Sequence, residues 1–180
     1  MRRPEKNSDV KIQTADPLGD EALRLLQEMR AEAVSRYPDV IDASEPPPTN
    51  DPLAPRSAFL LAQVNGRAIG CAALRPIDSE TAEVRRMYVV RAVRRRGIAR
   101  CMLAELERRA AEFGYRVIRL ETGNRQSEAV ALYKSSGFRR IAPYGPHVGD
   151  PLSICFEKRV TKAEAVLSLA NLATHHINEE

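Results

Sequence analysis

Apolar residues along this chain alternate with polar ones in some segments and recur every three or four positions in others. A short alternating run at 10–14 predicts an opening strand. Helical spacing of apolar residues after Asp16 and Pro17, a helix-start signal, predicts a helix that ends near Pro38. The apolar positions of that helix are Ala22, Leu25, Leu26, Met29 and Ala33.

The middle of the chain has the pattern of a β-hairpin followed by a further strand and a helix. Two apolar runs flank Asn65 and Gly66, a dipeptide that favours a tight hairpin turn. The run at 81–90 predicts a third strand, and a helix is predicted to begin at Gly97. Its apolar stripe consists of Ile98, Met102, Leu106, Ala110 and Phe113.

Three of the remaining elements can be placed: a strand at 116–122, a helix at 127–136 closed by Gly137, and a late strand at 153–160. The order is β, α, β-hairpin, β, α, β, α, β, β. Antiparallel strands followed by a βαβ unit predict an α/β (α+β) fold, in which a mixed sheet carries helices on both faces.

Two segments lie outside this pattern. Residues 38–55 are rich in proline and acid, which predicts either a lid or substrate loop or an ordinary flexible loop. Thr161 and Glu164 form a capping-box signature that predicts an extra C-terminal helix, whose apolar side would pack on the parent domain or on a second subunit in a homodimer. His175 and His176 near its end are interpreted as a solvated tail, and no metal site is predicted.

Composition narrows the class of protein. A chain of 180 residues with 43% hydrophobic and 29% charged residues fits one globular domain. Three cysteines, odd in number and without a C-x-x-C pair, favour neither disulfides nor zinc and suggest a reducing compartment. No apolar run approaches the length of a membrane span, so a cytoplasmic protein without membrane partners is expected.

The segment from Arg94 to Arg100 is the strongest chemical signal. The first amides of a helix that begins at Gly97 lack intrahelical partners, and the helix dipole adds positive charge there. Gly97 allows close approach to the backbone, while neighbouring arginines raise the local potential. The turn lacks the lysine of a nucleotide-binding P-loop and the Rossmann glycine spacing. We therefore predict a site for a pyrophosphate.

Residues 94–99 resemble the Gln/Arg-x-x-Gly-x-Gly/Ala motif of the GNAT superfamily of acetyl-CoA-dependent N-acyltransferases. The segment "QSEAVALYKSSGF" is similar to that family's Asn-x-x-Ala-x-x-Leu-Tyr-x-x-x-Gly-Phe segment, with Gln126 at the usual asparagine. The resemblance, closest to a bacterial small-acceptor subgroup, covers residues 10–160 and leaves 161–180 as an extra helix and tail.

The resemblance implies a mostly antiparallel, twisted sheet in which the strand ending near Val90 splays from the strand at 117–122. Acetyl-CoA would bind in that splay, with its pantetheine amides pairing to the backbone of Met87 and Val89 and its pyrophosphate at the basic turn. Tyr88 would face the other side of the sheet, and Arg94 could be structural. The cofactor-binding residues implied are Met87, Tyr88, Val89, Arg94, Arg95, Arg96, Gly97, Ile98, Ala99, Arg100, Gln126 and Tyr133.

Catalytic roles follow from the same resemblance. The attacking amine must be neutral, so a proton acceptor is needed; Glu83 is assigned as general base, with Glu121 in reserve. The alternative for Glu83 is a surface ion pair with Arg85. Tyr133 is assigned as the acid that protonates the leaving thiolate, with a core tyrosine as the alternative, and a backbone N–H near Met87 would stabilise the oxyanion.

The acceptor is expected to be a primary amine of a small molecule or peptide. Acids in 38–55 suggest a cationic amine or merely solubility, and Tyr144 and His147 could reach the acceptor from their loop. The cysteines are expected to be inert thiols, which favours direct transfer. Rival interpretations are a catalytically silent acyl-CoA sensor and a nucleic-acid-binding protein; with only 5% aromatic residues the chain is not expected to bind nucleic acid.

Overall fold

The computed structural model describes residues 10–45 and 49–161 and confirms the predicted order of elements. The strands are β1 (Lys11–Thr14), β2 (Ala58–Val64), β3 (Arg67–Pro76), β4 (Thr81–Val89), β5 (Val117–Gly123), β6 (Arg139–Ile141) and β7 (Ser153–Arg159). The helices are α1 (Asp20–Arg36), α2 (Ile98–Glu112) and α3 (Ser127–Ser135), with single 3-10 turns at Arg91–Val93 and Gly145–His147.

All seven strands form one sheet, in the order β1-β2-β3-β4-β5-β7-β6. Only the β4–β5 pair is parallel; the other neighbours are antiparallel. The hairpin between β2 and β3 turns at Asn65 and Gly66, whose φ angles are 50° and 78°. Both residues therefore adopt the left-handed backbone that this tight turn requires.

The helices pack on opposite faces of the sheet, as the element order predicts. Along β2, Leu60 belongs to the core under α2 and α3, whereas Phe59 and Leu61 belong to a second core under α1. This alternation is the two-residue period of a strand buried on both faces. The predicted stripe of α2 faces the first core, because Ile98, Met102, Leu106 and Ala110 are all buried there.

The start of α1 differs from the prediction. Asp16 does not cap the helix: its carboxylate accepts a hydrogen bond from the amide of Leu18 at 2.9 Å, which closes a short turn, and α1 begins at Asp20. An aspartate side chain bonding its own backbone two residues on is a common turn device that competes with helix capping. The predicted end of the helix before Pro38 is confirmed.

The predicted C-terminal helix, from residue 162 onward, lies outside the described residues, as do His175 and His176. Among the described helices, none is long and apolar enough to cross a bilayer.

Candidate active site

The central strands β4 and β5 separate halfway along their length. Their register runs from Thr81 opposite Val117 to Val84 opposite Leu120 and stops there. Beyond this point no strand of the described residues pairs with residues 85–89 of β4 on their β5 side. The predicted splay is confirmed, and it leaves a free backbone edge of the kind to which an extended ligand can add as a strand.

The basic turn stands at the end of β4 and begins α2. Gly97 is the N-cap residue with φ 76°, and a side chain there would meet no neighbouring atom within 4 Å. Arg95 is also left-handed, with φ 66°. Arg95, Arg96 and Arg100 are exposed, and the first turn of α2 contains no acidic residue. The turn thus has the open backbone and the positive charge that a pyrophosphate requires.

Arg94 differs from its neighbours in being held by protein groups. Its guanidinium donates to both carboxylate oxygens of Glu32 on α1, at 2.9 and 2.5 Å, and to the carbonyl of Val89 at 2.8 Å. The hydrogen bond from Arg94 holds the pKa of Glu32 below its usual value, against the opposing effect of burial. These bonds fasten the turn to α1, so the Arg94 side chain acts as a structural brace.

The side chains around the splay face the directions that the resemblance implies. Met87 packs against the core under α2, where Val89 is buried, whereas Tyr88 packs against the core under α1. Ile98 is buried and can serve a ligand only through its backbone. Gln126 is the N-cap residue of α3, and its side chain makes no capping bond.

Glu83 lies one residue before the point where β4 and β5 part, opposite Arg119. Its side chain is only 16% exposed. The Tyr144 hydroxyl donates to its Oε1 at 2.8 Å, and His147 Nε2 lies 3.8 Å from the same oxygen. Arg85 Nε lies 3.8 Å from Oε2. The structure therefore brings together Glu83 and the two loop residues for which the sequence suggested a role.

The Tyr144 ring is placed by contacts on two sides. The ring of His147 packs edge-on against it with centroids 5.5 Å apart, and the Arg119 guanidinium lies 5.5 Å from its centroid. Burial and the hydrogen bond to Glu83 raise the pKa of Tyr144, so the phenol stays protonated and remains a donor at neutral pH. The Glu83 carboxylate is thereby fixed in one orientation.

Tyr133 projects from α3 into the core and is 4% exposed. Its ring packs against Phe138 and Phe156, with centroids 5.9 and 6.0 Å away. Burial raises the pKa of Tyr133, so the hydroxyl is protonated at neutral pH. Within the described part of the chain no group hydrogen-bonds that hydroxyl. A largely buried and protonated phenol is available as a proton donor.

The reserve base and the thiols have other partners or environments. Glu121 accepts a hydrogen bond from the Ser153 hydroxyl at 2.8 Å, and its charge contributes to raising the pKa values of Tyr133 and Tyr144. Burial raises the pKa of Cys71 to about 12 and raises those of Cys101 and Cys155 as well, which agrees with inert thiols. Among the described residues no group of acids, histidines and cysteines has metal-binding geometry.

The pair Arg85 and Arg86 was not recognised from the sequence as part of a site. The register of β3 and β4 shifts so that Arg86 and Met87 together oppose Ala72, and Arg86 adopts φ 56°. This is a β-bulge, and bulges of this kind often lie next to active sites. The sequence does contain a signal for this bulge. The apolar positions of β4 alternate up to Val84, but the next one is Met87, three residues on instead of two.

Comparison with known proteins agrees with this geometry. The model of the acetyltransferase (GNAT) family matches residues 24–138. The "IAA acetyltransferase" of Azospirillum brasilense is 34% identical over 152 residues, covering 83% of this chain and 97% of that protein. The chain therefore belongs to the GNAT acetyltransferase family, and it is an acyl-CoA-dependent acyltransferase.

Solved structures show the same fold. One described as an acyl-CoA N-acyltransferase from Klebsiella pneumoniae matches with a TM-score of 0.71 and 28% identity, covering 86% of this chain and 99% of that one. A GNAT acetyltransferase from Elizabethkingia anophelis, solved with acetyl-CoA bound, matches with a TM-score of 0.61 and 19% identity, covering 86% of this chain and all of that one (100%). The family resemblance and the fold class expected from the sequence are confirmed.

Proposed function

We propose that this enzyme transfers the acetyl group of acetyl-CoA to a primary amine of a small molecule by direct attack. The observation that carries the proposal is the position of Glu83. A carboxylate that is largely buried and oriented by Tyr144 lies at the mouth of the opening between β4 and β5. A proton acceptor is therefore present where an amine could meet a ligand held in the splay.

The residues around the splay fit acetyl-CoA, which would supply the acetyl group as a thioester. The exposed guanidinium groups of Arg95, Arg96 and Arg100 and the amides that follow Gly97 offer donors to the diphosphate. The edge of β4 at Met87 and Val89 offers backbone groups to the pantetheine amides, and the Val89 carbonyl there already accepts a hydrogen bond from Arg94. Arg94 contributes by holding the turn through Glu32.

Glu83 is assigned to proton removal from the acceptor. An alkylamine with a pKa near 10 is neutral in only about one molecule in a thousand at pH 7, and only the neutral form is a nucleophile. A carboxylate within reach of the ammonium, directly or through water, makes that form available at the site. Tyr144 and His147 position the carboxylate of Glu83 through its Oε1 atom.

Tyr133 is assigned to protonation of the leaving sulfur. Its hydroxyl is protonated, lacks a described protein partner and lies on the helix that follows β5, the far side of the splay. The buried thiols with raised pKa values support direct transfer over a covalent acetyl-cysteine, because a thiol is a poor nucleophile until it ionises.

The test is an amine panel assayed for CoA release, together with calorimetry of acetyl-CoA binding. We expect saturable binding and CoA release with at least one amine, and a loss of turnover of about tenfold or more in Tyr133→Phe, with acetyl-CoA affinity retained. Binding without transfer to any amine would favour the silent acyl-CoA sensor. Absence of binding would refute the proposal.

A further inference from the structure

A pocket lies on the α1 face of the sheet, next to the Glu83 cluster. Residues 50–53, which follow the proline-rich part of the long loop, form one wall. Phe59 and Ala73, both buried, contribute an apolar floor. Three arginines complete the lining: Arg75, Arg85 and Arg86.

The bulge in β4 explains how two consecutive arginines line one pocket. In a regular strand successive side chains point to opposite faces, so Arg86 would point into the apolar core with Ala82 and Val84. The extra residue resets the alternation, and Met87 takes the core-facing position instead. Arg86 adopts a left-handed backbone, which is unfavourable for a residue with a Cβ. This conformation places the charge of Arg86 in the same pocket as that of Arg85.

The charges in this pocket do not balance within the described protein. Arg75 is paired with Asp51, and Arg85 lies 3.8 Å from a Glu83 oxygen. Arg86 donates only to the carbonyl of Thr49, at 3.3 Å, and no described carboxylate forms an ion pair with it. Burial, followed by repulsion from Arg85, lowers its pKa, while the charge of Asp51 opposes this shift. A half-buried cation in this situation is stabilised when an anion binds.

Asn50 supplies a second, independent indication of a ligand. Its side chain is held by a hydrogen bond from Nδ2 to the carbonyl of Pro17 at 2.9 Å, and the residue is only 5% exposed. Its Oδ1 is buried and has no hydrogen-bond partner. Buried acceptors of this kind are normally satisfied, so a residue in the wall of the pocket carries a buried oxygen without a described donor.

Two acids of the long loop that suggested a cationic acceptor are already occupied. Asp51 pairs with Arg75, and Asp39 pairs with Arg125 at 2.5 and 2.7 Å. They neutralise arginines of the protein and leave the wall beside Glu83 positive. These two acids are therefore already paired with arginines of the protein and do not supply a free negative charge for a cationic acceptor.

We propose that this pocket recognises a carboxylate on the acceptor, so that the substrate of the proposed acetyl transfer is an amine of the amino-acid type. Arg85 and Arg86 bind the carboxylate, and Asn50 Oδ1 accepts a hydrogen bond from a donor on the same molecule. Glu83 and Arg85 lie two residues apart on one face of β4, and Arg85 Nε lies 3.8 Å from Glu83 Oε2. A carboxylate and a guanidinium this close to each other suit an amine and a carboxylate separated by one or two carbon atoms.

The test compares matched acceptors that differ in one charge: leucine, methionine, phenylalanine and aspartate, each against its α-carboxamide. The amide has the more weakly basic amine, so more of it is neutral at pH 7, and this bias acts against the proposal. We expect kcat/KM at least about tenfold higher for the free acid in at least one pair. Arg86→Gln should reduce kcat/KM for that acid about tenfold or more through KM, and leave the amide unchanged.

Controls separate recognition from folding. Arg86→Lys retains the charge and should recover part of the lost activity. Arg85→Gln removes the second arginine of the pocket at a position that, unlike Arg86, does not have a left-handed backbone. Arg116→Gln removes an arginine that is 78% exposed and far from the pocket in the strand register, and it should leave every ratio unchanged.

Calorimetry measures the binding of the N-acetyl amino acids and of their amides in the absence of acetyl-CoA. This measurement distinguishes the inference from the proposed function. Carboxylate-dependent binding that Arg86→Gln abolishes would support the pocket even if acetyl transfer failed. Equal kcat/KM values for the acid and the amide would overturn the proposed role of the pocket. If no acceptor turns over, equal affinities for the acid and the amide would overturn it. Acetyl transfer to neutral amines would leave the proposed function standing in that case.

Discussion

The turn at residues 94–100 and the bulge at residues 85–86 both present arginines, but the protein surrounds them differently. Arg95, Arg96 and Arg100 are exposed to solvent at the start of a helix. Arg86 is half-buried above an apolar floor and beside a buried asparagine. The same side-chain type is thus found in a solvent-exposed site on the turn and in a half-buried position on β4, the strand that leads into it.

The comparison shows that solvent exposure changes how strongly and how selectively an arginine side chain can bind a ligand. Water and salt screen exposed charges, so each turn arginine adds a modest, nonspecific attraction, and the helix amides supply the fixed geometry. A cation held in a partly dry pocket interacts more strongly and tolerates fewer ligands. We therefore expect the turn to bind a highly charged group by summed contacts and the bulge to select among acceptors.

The largest expected effect comes from Glu83, because it tests proton removal and not ligand binding by the turn or the bulge arginines. Glu83→Gln should lower kcat by about 10² to 10⁴-fold, the usual range for a general base, while the affinity for acetyl-CoA stays the same. Steady-state kinetics and calorimetry on the same preparation check this. An unchanged kcat would remove Glu83 from the mechanism and leave its pairing with Arg85 as its role.

The next effect tests the geometry of the turn. Gly97→Ala should weaken acetyl-CoA binding by about tenfold, because a residue with a Cβ disfavours φ 76° and the amides behind it move. Gly66→Ala is a matched control, since Gly66 has φ 78° and equally open surroundings in the hairpin. Both variants should lose stability, and only the first should lose affinity. Equal affinities would separate the turn from the cofactor.

A smaller effect concerns the brace that holds the turn. Glu32→Gln should cost about 1 kcal/mol in the free energy of unfolding at pH 7, because the carboxylate bonds both Arg36 and Arg94. The folded-state pKa of Glu32 is lowered, so its contribution is complete above the unfolded value near 4.5 and is lost as pH falls through the folded value. Urea unfolding at pH 7 and pH 3 measures the difference.

That difference between wild type and Glu32→Gln should shrink toward zero at the lower pH. Glu80→Gln, in an exposed pair with Arg116 at 3.4 Å, should change little at either pH. A penalty for Glu32→Gln that is independent of pH would attribute the loss to packing and not to the ion pair.

The smallest effect belongs to the exposed arginines. Arg95→Gln and Arg96→Gln should each weaken acetyl-CoA binding by only about threefold at low salt, and the difference from wild type should fade at 0.5 M NaCl. Arg140→Gln, exposed on β6, is the control for net charge. A large, salt-insensitive loss would mean that the turn arginines make specific contacts like those proposed for Arg86, and the contrast between the two regions would disappear.

The order of the elements, the hairpin and the basic turn could be predicted from the sequence because short-range energetics decide them. Asn65 and Gly66 favour a tight turn whatever surrounds them, and the stripe of α2 needs only its own spacing to define a buried face. Two motifs in the right order predicted the family and, with it, the splay between β4 and β5. The roles of Glu83 and Tyr133 stay predictions.

Other features depend on residues that are distant along the chain. Tyr144 meets Glu83 across 61 positions, and Arg94 meets Glu32 across 62. Local preferences say nothing about such pairs, because side chains that far apart meet only when the sheet and α1 have packed. Sequence alone therefore determined which elements form, and it predicted where an anion would bind. Tertiary packing decided which arginine is a brace, which carboxylate is oriented, and that the bulge places Arg86 beside Arg85 in the lining of one pocket.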